Sequence, residues 1–203
     1  MSADERPVVV AVTGASGAPY AVRLIESLVQ QKRPVSLIVS DHGLRLLDTE
    51  MGIASVAALR DRVGAAEWDR WVRVFDDRDR GAGPASGSAL TAGMVICPCS
   101  MGTMSAIAVG ASRSLVERAA DVVLKERRRL VLVPRESPYS AIHLQNMLSL
   151  TQAGAVVLPA SPGFYHRPKT IDDLVNFIVA RVLDHLGVDN SLVPRWGTEP
   201  LEQ

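Results

Sequence analysis

A chain of 203 residues with 47% hydrophobic and 22% charged side chains has the composition of a globular domain large enough to bury a real core. Lys+Arg and Asp+Glu each number 22, so no net charge draws the molecule to nucleic acid or an anionic membrane, and 4% aromatic residues leave little for base stacking. The acidic, polar opening MSADERPVVV lacks the order of a secretory signal, and no apolar run approaches the roughly 20 residues that span a bilayer.

Residues 8–12 read as a buried strand. Behind it Ala21, Leu24, Ile25, Leu28 and Val29 recur at helical spacing, with Pro19 in the first turn. After Lys32-Arg33-Pro34, residues 35–39 form a second apolar strand, and Ser40-Asp41 caps a short helix running towards Glu50. Residues 71–75 alternate as a third strand. The stretch DDRDRGAGPASGSAL (76–90) is rich in charge, Gly and Ser and too long for a mere connector. Residues 94–96 make a further strand ending at Cys97-Pro98, and CSMGTMSAIAVG repeats the strand-to-helix turn. Helices are expected over 101–109 and 114–125, a strand over 130–133, and a helix opened by Ser137-Pro138. The last strand covers 155–158. A final helix starts at the capping-box pattern Thr170-Ile171-Asp172-Asp173 and ends at Gly187.

Apolar strands without alternation, separated by helices, imply an α/β parallel sheet covered on both faces. One domain spanning 1–203 is expected, with a C-terminal extension at about 188–203 that must pack on something if Leu192, Val193 and Trp196 are to be buried. In open sheets of this kind the ligand lies beyond the carboxyl ends of the strands, so the residues at those ends are the candidates for function.

The first such turn, Thr13-Gly14-Ala15-Ser16-Gly17, fits neither the Gly-x-Gly-x-x-Gly dinucleotide fingerprint nor the Gly-Lys-Ser/Thr phosphate loop. It reads either as a seat with backbone donors and Ser16 for a flavin ring or phosphate, or as a tight turn serving helix–sheet packing. Ser100-Met101-Gly102-Thr103 places two hydroxyls and a Gly at a second helix start. In RAADVVLKERRRL (118–130), Arg127 to Arg129 read as a solvated face. Arg135-Glu136, by contrast, follows a strand at the ligand-binding end, where a guanidinium grips phosphate in bidentate fashion. Arg181 falls on the apolar stripe of the last helix, so it needs a carboxylate or a bound anion. Tyr165, in PGFYHRP, either donates its hydroxyl to that anion or packs on Pro162 or Pro168. Glu50 and Glu136 are the carboxylates to weigh for acid–base work, against the commoner fate of an ion-pair partner. Cys97 and Cys99, one residue apart, and four scattered histidines show no redox or metal-ligand spacing.

Taken in order, TGASGAPYAVRL, CPCSMGT, RAADVVLKERR, LVLVPRESP, GAVVLPASPGFYHRP and DDLVNFIVARVLDHLG, with RWG near the end, resemble the flavin prenyltransferases of the UbiX type. The resemblance runs from residue 12 to 187. It implies a Rossmann-like, flavodoxin-like sheet that binds FMN, commonly in a homododecamer whose sites lie between subunits. It further implies a cytoplasmic, metal-independent enzyme that joins the dimethylallyl group of dimethylallyl phosphate to N5 and C6 of reduced FMN. The prenylated FMN then serves a partner decarboxylase of ubiquinone biosynthesis or a related pathway. By resemblance, the flavin contacts fall on Gly14, Ala15, Ser16, Ser40, Ser100, Met101, Gly102, Thr103 and Arg135. Those to the prenyl phosphate fall on Arg118, Lys125, Tyr165 and Arg181, and the catalytic groups on Ser16, Glu50 and Glu136. Two positions depart from the pattern: Arg80-Gly81-Ala82-Gly83 stands where some relatives have a bulky aromatic, and Gly102 where many have Lys. The alternatives are an FMN-dependent decarboxylase of cysteine-type carboxylates and a non-catalytic flavin carrier.

Overall fold

The computed structural model describes residues 6–195. Its centre is one six-stranded sheet in the order β3-β2-β1-β4-β5-β6, parallel throughout. The strands are β1 (Val8–Val12), β2 (Val35–Val39), β3 (Val72–Phe75), β4 (Gly93–Cys99), β5 (Leu130–Pro134) and β6 (Val156–Val157). Of the two common doubly wound orders this is the Rossmann one, and its switch point lies between β1 and β4. The expected parallel sheet with helices on both faces is therefore present.

The helices are α1 (Ala18–Gln30), α2 (Asp41–Met51), α3 (Val56–Val63), α4 (Ala65–Trp71), α5 (Met101–Ala108), α6 (Leu115–Lys125), α7 (Ala141–Gln152) and α8 (Ile171–Leu186). Side chains alternate across a strand, so β1 feeds two cores. Val8, Val10 and Val12 face α1, α8 and the hydrophobic residues Leu47, Leu59 and Trp68 of α2, α3 and α4. Val9 and Ala11 face Met104 of α5, Val123 of α6 and Leu150 of α7. Leu24, Ile25, Leu28, Met104 and Leu130 are fully buried, each stabilising the fold by about 1.5–3 kcal/mol.

Several boundaries differ from the sequence expectation. Trp71 closes α4 instead of opening β3. Neither α3 nor α4 was read from the sequence, because each is short and buries one residue, Leu59 or Trp68. Strand β4 runs through Pro98 to Cys99, with a register shift against β5 after Ile96, where proline supplies no ladder N–H. Ser137-Pro138 does not open a helix; α7 begins at Ala141, where Ser140 and His143 form a reciprocal capping box. Strand β6 is two residues long.

The long 76–90 segment is a strap with partners: Leu115 and Val116 amides donate to the Asp77 carbonyl and carboxylate, at 2.7 and 2.9 Å, and a 3-10 turn at Gly83–Ala85 packs on α6. Leu192 packs on the first core and Val193 is half-buried. Trp196 lies outside the described residues. Among those residues no helix is long and apolar enough to cross a membrane.

Candidate active site

Beyond the carboxyl ends of β1 and β4, one residue ties the two strand-end turns together. Thr13 is buried; its amide and its hydroxyl both donate to the Pro98 carbonyl, at 3.2 and 2.9 Å, and its Oγ1 accepts from the Ser100 amide at 2.9 Å. The sequence reading missed it. A Thr that ends a Val-rich strand just before a small-residue turn is the signal that was available.

The Gly14–Gly17 turn is tight for a packing reason. A Cβ on Gly14 would lie 2.6 Å from His42 Cβ, so the turn and the start of α2 close on each other only at glycine. Gly17 has φ 127°, in the region that favours glycine.

The donors at the head of α1 are already used. Glu50, from the far end of α2, accepts at Oε2 from the Gly17 and Ala18 amides at 2.9 and 2.8 Å, and the Ser16 side chain is near enough to the same carboxylate to favour its charged form. The Gly17 and Ala18 amides are thus taken by the protein's own carboxylate. Partial burial pushes the Glu50 carboxyl up, but the nearby Ser16 side chain, the bonds from Gly17 and Ala18 and the Arg135 charge outweigh it and hold the pKa below the ordinary carboxylate range.

A pH dependence follows. A depressed carboxyl pKa gives stability that is present above the unfolded value of 4.5 and lost as pH falls through the folded value. Glu50→Gln is expected to lower folding stability at neutral pH by about 0.5–1 kcal/mol, the scale of an anion at a helix N-terminus. Denaturant melts at fixed protein concentration should show the gap to the parent closing as the pH drops below the carboxylate range. A pH-independent gap would assign Glu50 a packing role.

Three helices start at this end of the sheet near the switch point. The N-terminus of α1 holds Glu50, and the first turn of α2 carries Asp41. The first turn of α5 has no acidic residue. Its Met101 and Gly102 amides belong to the turn that has no intrahelical acceptors. Ser100 caps it through Thr103 N at 3.2 Å, and the two hydroxyls bond each other at 2.9 Å. A Cβ on Gly102 would meet only Ser100 Oγ, at 4.0 Å, so the space above this turn is open. This donor set fits an anionic phosphate. Ser40, the cap of α2, accepts from Gly43 N at 3.0 Å and donates to the Val12 carbonyl at 3.3 Å. Arg135 is exposed just beyond β5, and Glu136 accepts from the Ser137 amide at 3.0 Å. Ala15 is buried beneath the turn.

The expected prenyl-phosphate residues do not meet in one chain. Arg118 and Lys125 sit on α6, over the face that carries Val9 and Ala11; Tyr165 and Arg181 lie with α8, over the opposite face. Arg118 pairs with Asp121 at 2.7 Å, and Lys125 pairs with Glu126 beside Gly87, near the amino ends of the strands. Arg181 is not on the buried stripe, as its spacing implied. It is exposed and paired with Asp184 at 3.1 Å, and Arg195 holds the other oxygen of Asp184 at 2.8 Å. Tyr165 stacks edge-on against Phe177, 5.7 Å between ring centres. Tyr165, Arg181, Asp184 and Arg195 line one cavity of about 170 Å³.

The cysteines take no part. Both are buried and free, and burial pushes both thiols up, Cys99 to about 12, so neither is a thiolate nucleophile.

The family model described as Flavoprotein matches residues 1–183. A flavin prenyltransferase UbiX of Pseudomonas aeruginosa is 51% identical over 208 residues, covering 99% of this chain and 98% of its own. The chain belongs to the Flavoprotein family, among its UbiX-type flavin prenyltransferases. Solved structures of the family agree with the fold. AnUbiX, in complex with FMN and dimethylallyl pyrophosphate, superposes with a TM-score of 0.87 at 38% identity, covering 97% of this chain and all of that one. A dodecameric FMN-dependent UbiX-like decarboxylase from Escherichia coli O157:H7 gives 0.85 at 40% identity, covering 94% and 98%.

Proposed function

We propose that this flavoprotein joins the dimethylallyl group of dimethylallyl phosphate to N5 and C6 of reduced FMN, releasing phosphate and supplying prenylated FMN to a decarboxylase. The observation that carries the reading is the convergence of Ser16, Glu50 and Arg135 with the carboxylate-free head of α5 at the switch point of the sheet. Relatives that bear the prenyltransferase name, and a neighbour holding FMN and dimethylallyl pyrophosphate, support it.

In this reading Ser100, Thr103 and the Met101 and Gly102 amides, with Arg135, hold the flavin and its phosphate. Gly14, Ala15 and Ser40 form the wall beside it. Ser16 faces the reacting edge, beside the Glu50 carboxylate. That makes Glu50 a positioning residue, because a carboxyl held below its ordinary pKa is a poor proton donor at neutral pH. Glu136, whose carboxylate accepts from its neighbour's amide, is then the group for proton transfer.

Breaking the allylic C–O bond leaves a highly charged phosphate. Arg118, Lys125, Tyr165 and Arg181 stabilise that charge without a metal. Because the sheet separates the two halves of this set, they can gather round one phosphate only when different subunits contribute them. This supports a homo-oligomer with sites between subunits, and a dodecamer as in the Escherichia coli neighbour. We read residues 1–203 as one domain with an extension from about 188, acting in the cytoplasm, where its thiols stay reduced.

The test is anaerobic incubation with reduced FMN and dimethylallyl phosphate, followed by the mass of the extracted flavin. A flavin heavier by one five-carbon unit is expected. Tightly bound but unmodified flavin would favour a carrier or a decarboxylase instead.

A further inference from the structure

Strand β1 reads VVVAV, and the residue after it, Thr13, is 2% exposed. Valine has the same shape and would fill that space, so a hydroxyl there costs desolvation unless it is bonded. It is bonded twice: Oγ1 donates to the Pro98 carbonyl and accepts from the Ser100 amide, both at 2.9 Å. These bonds fall where the sheet stops supplying its own. The register between β1 and β4 ends at Ala11 and Ile96, and that between β4 and β5 shifts after Ile96. Thr13 takes over from the ladder and fixes the end of β4 against the end of β1.

Each end of this tie leads into the site. The Thr13 carbonyl accepts from the Ala15 amide at 2.9 Å, inside the turn that carries Ser16. Ser100 caps α5, whose first-turn amides form the phosphate seat, and its Oγ accepts from Thr103 N at 3.2 Å. We propose that Thr13 is a positioning residue whose hydroxyl sets the spacing between the flavin-ring wall and the phosphate seat, so that the site selects a flavin bearing a phosphate. This rests on the flavin placement given under the proposed function. Without the hydroxyl, the Ser100 amide is released from β1 and the head of α5 can shift. The Gly14–Ser16 turn stays held through the Gly17 and Ala18 amides on Glu50. FMN has to engage both halves at once, whereas riboflavin, the same ring and sugar chain without the phosphate, uses only the ring wall.

The experiment is titration of oxidised FMN and of riboflavin, followed by flavin fluorescence, into the full chain and its Thr13→Val, Thr13→Cys and Thr13→Ser variants. Thr13→Val should lose about ten-fold in FMN affinity, the scale of one hydrogen bond left unmade, with riboflavin within about two-fold of the parent. Thr13→Cys, whose thiol is a weaker donor and acceptor, should lie between, and Thr13→Ser should restore the parent's ratio of FMN to riboflavin affinity. A purely structural role would lower both affinities together and leave that ratio unmoved. An unchanged ratio in Thr13→Val, or a parent that binds the two flavins equally, would overturn the inference. If Thr13→Val does not fold, Thr13→Cys against Thr13→Ser decides in the same way. The flavin-mass assay on the parent keeps the two ideas apart. Selection of FMN through Thr13 with the flavin left unmodified sinks the transferase reading and leaves the positioning role standing; prenylated FMN with an unmoved ratio does the reverse.

Discussion

Arg181→Ala is expected to lower prenyl transfer by about 10²–10³-fold, the usual effect of removing one preorganised donor to a developing anion. FMN uptake should be unaffected. The physical case rests on what surrounds the residue. Arg181 and Arg195 share the single carboxylate of Asp184, and Tyr165 lines the same cavity. Removing Arg181 takes one positive charge from the cavity wall and leaves Asp184 paired with Arg195. The fold should barely notice, since an exposed ion pair contributes about 0–1 kcal/mol. Single-turnover rates, a flavin titration and a denaturant melt on the same preparation separate these effects. Arg181→Lys should recover part of the rate, because the charge returns without the planar fork. Full activity in the alanine variant would remove Arg181 from the site; lost flavin binding would point to a broken fold or assembly.

Gly43→Ala should be the most damaging of the small changes. In an ordinary helix interior this substitution stabilises by about 1 kcal/mol. Here the added Cβ would lie 2.3 Å from the Val12 carbonyl oxygen and 2.8 Å from its carbon, which are backbone atoms of the central strand. The start of α2 must then lift off β1, breaking the bonds from Ser40 N and Oγ to that same carbonyl and drawing Glu50 away from the head of α1. Overpacking of this kind costs about 1–3 kcal/mol, and the lost hydrogen bonds add to it. The expected outcome is a destabilised protein with weakened flavin binding, read by a urea melt and a flavin titration. A parent-like melt would show that α2 shifts freely, and Glu50 would then be no fixed element of the site.

The Gly14 turn shows how far the residues alone could be read. Its spacing excluded a dinucleotide fingerprint and left two uses open, ligand approach or packing. The structure packs Gly14 against His42 and gives the Gly17 and Ala18 amides to Glu50. No local pattern could reveal this, since Glu50 and Gly17 are 33 residues apart and meet only because α2 runs back across the end of β1. Arg181 shows the opposite error. Its spacing from Ile178 implied a buried charge, but a helix stripe drifts, and the position turns out into water beside Asp184.

The order of the strands, the two-sided sheet, the capped start of α8 at Thr170 and its end at Gly187 were legible in the sequence. Each depends on side chains within a few positions of one another: unalternating apolar runs, a capping box and a glycine in the left-handed conformation. The ordered motifs also marked the family. What only the tertiary structure decided is which charges stand together. A parallel sheet joins its strands through helical crossovers that lie on either face, so Lys125 on α6 and Arg181 on α8, alike as cations in the chain, end on opposite sides of it.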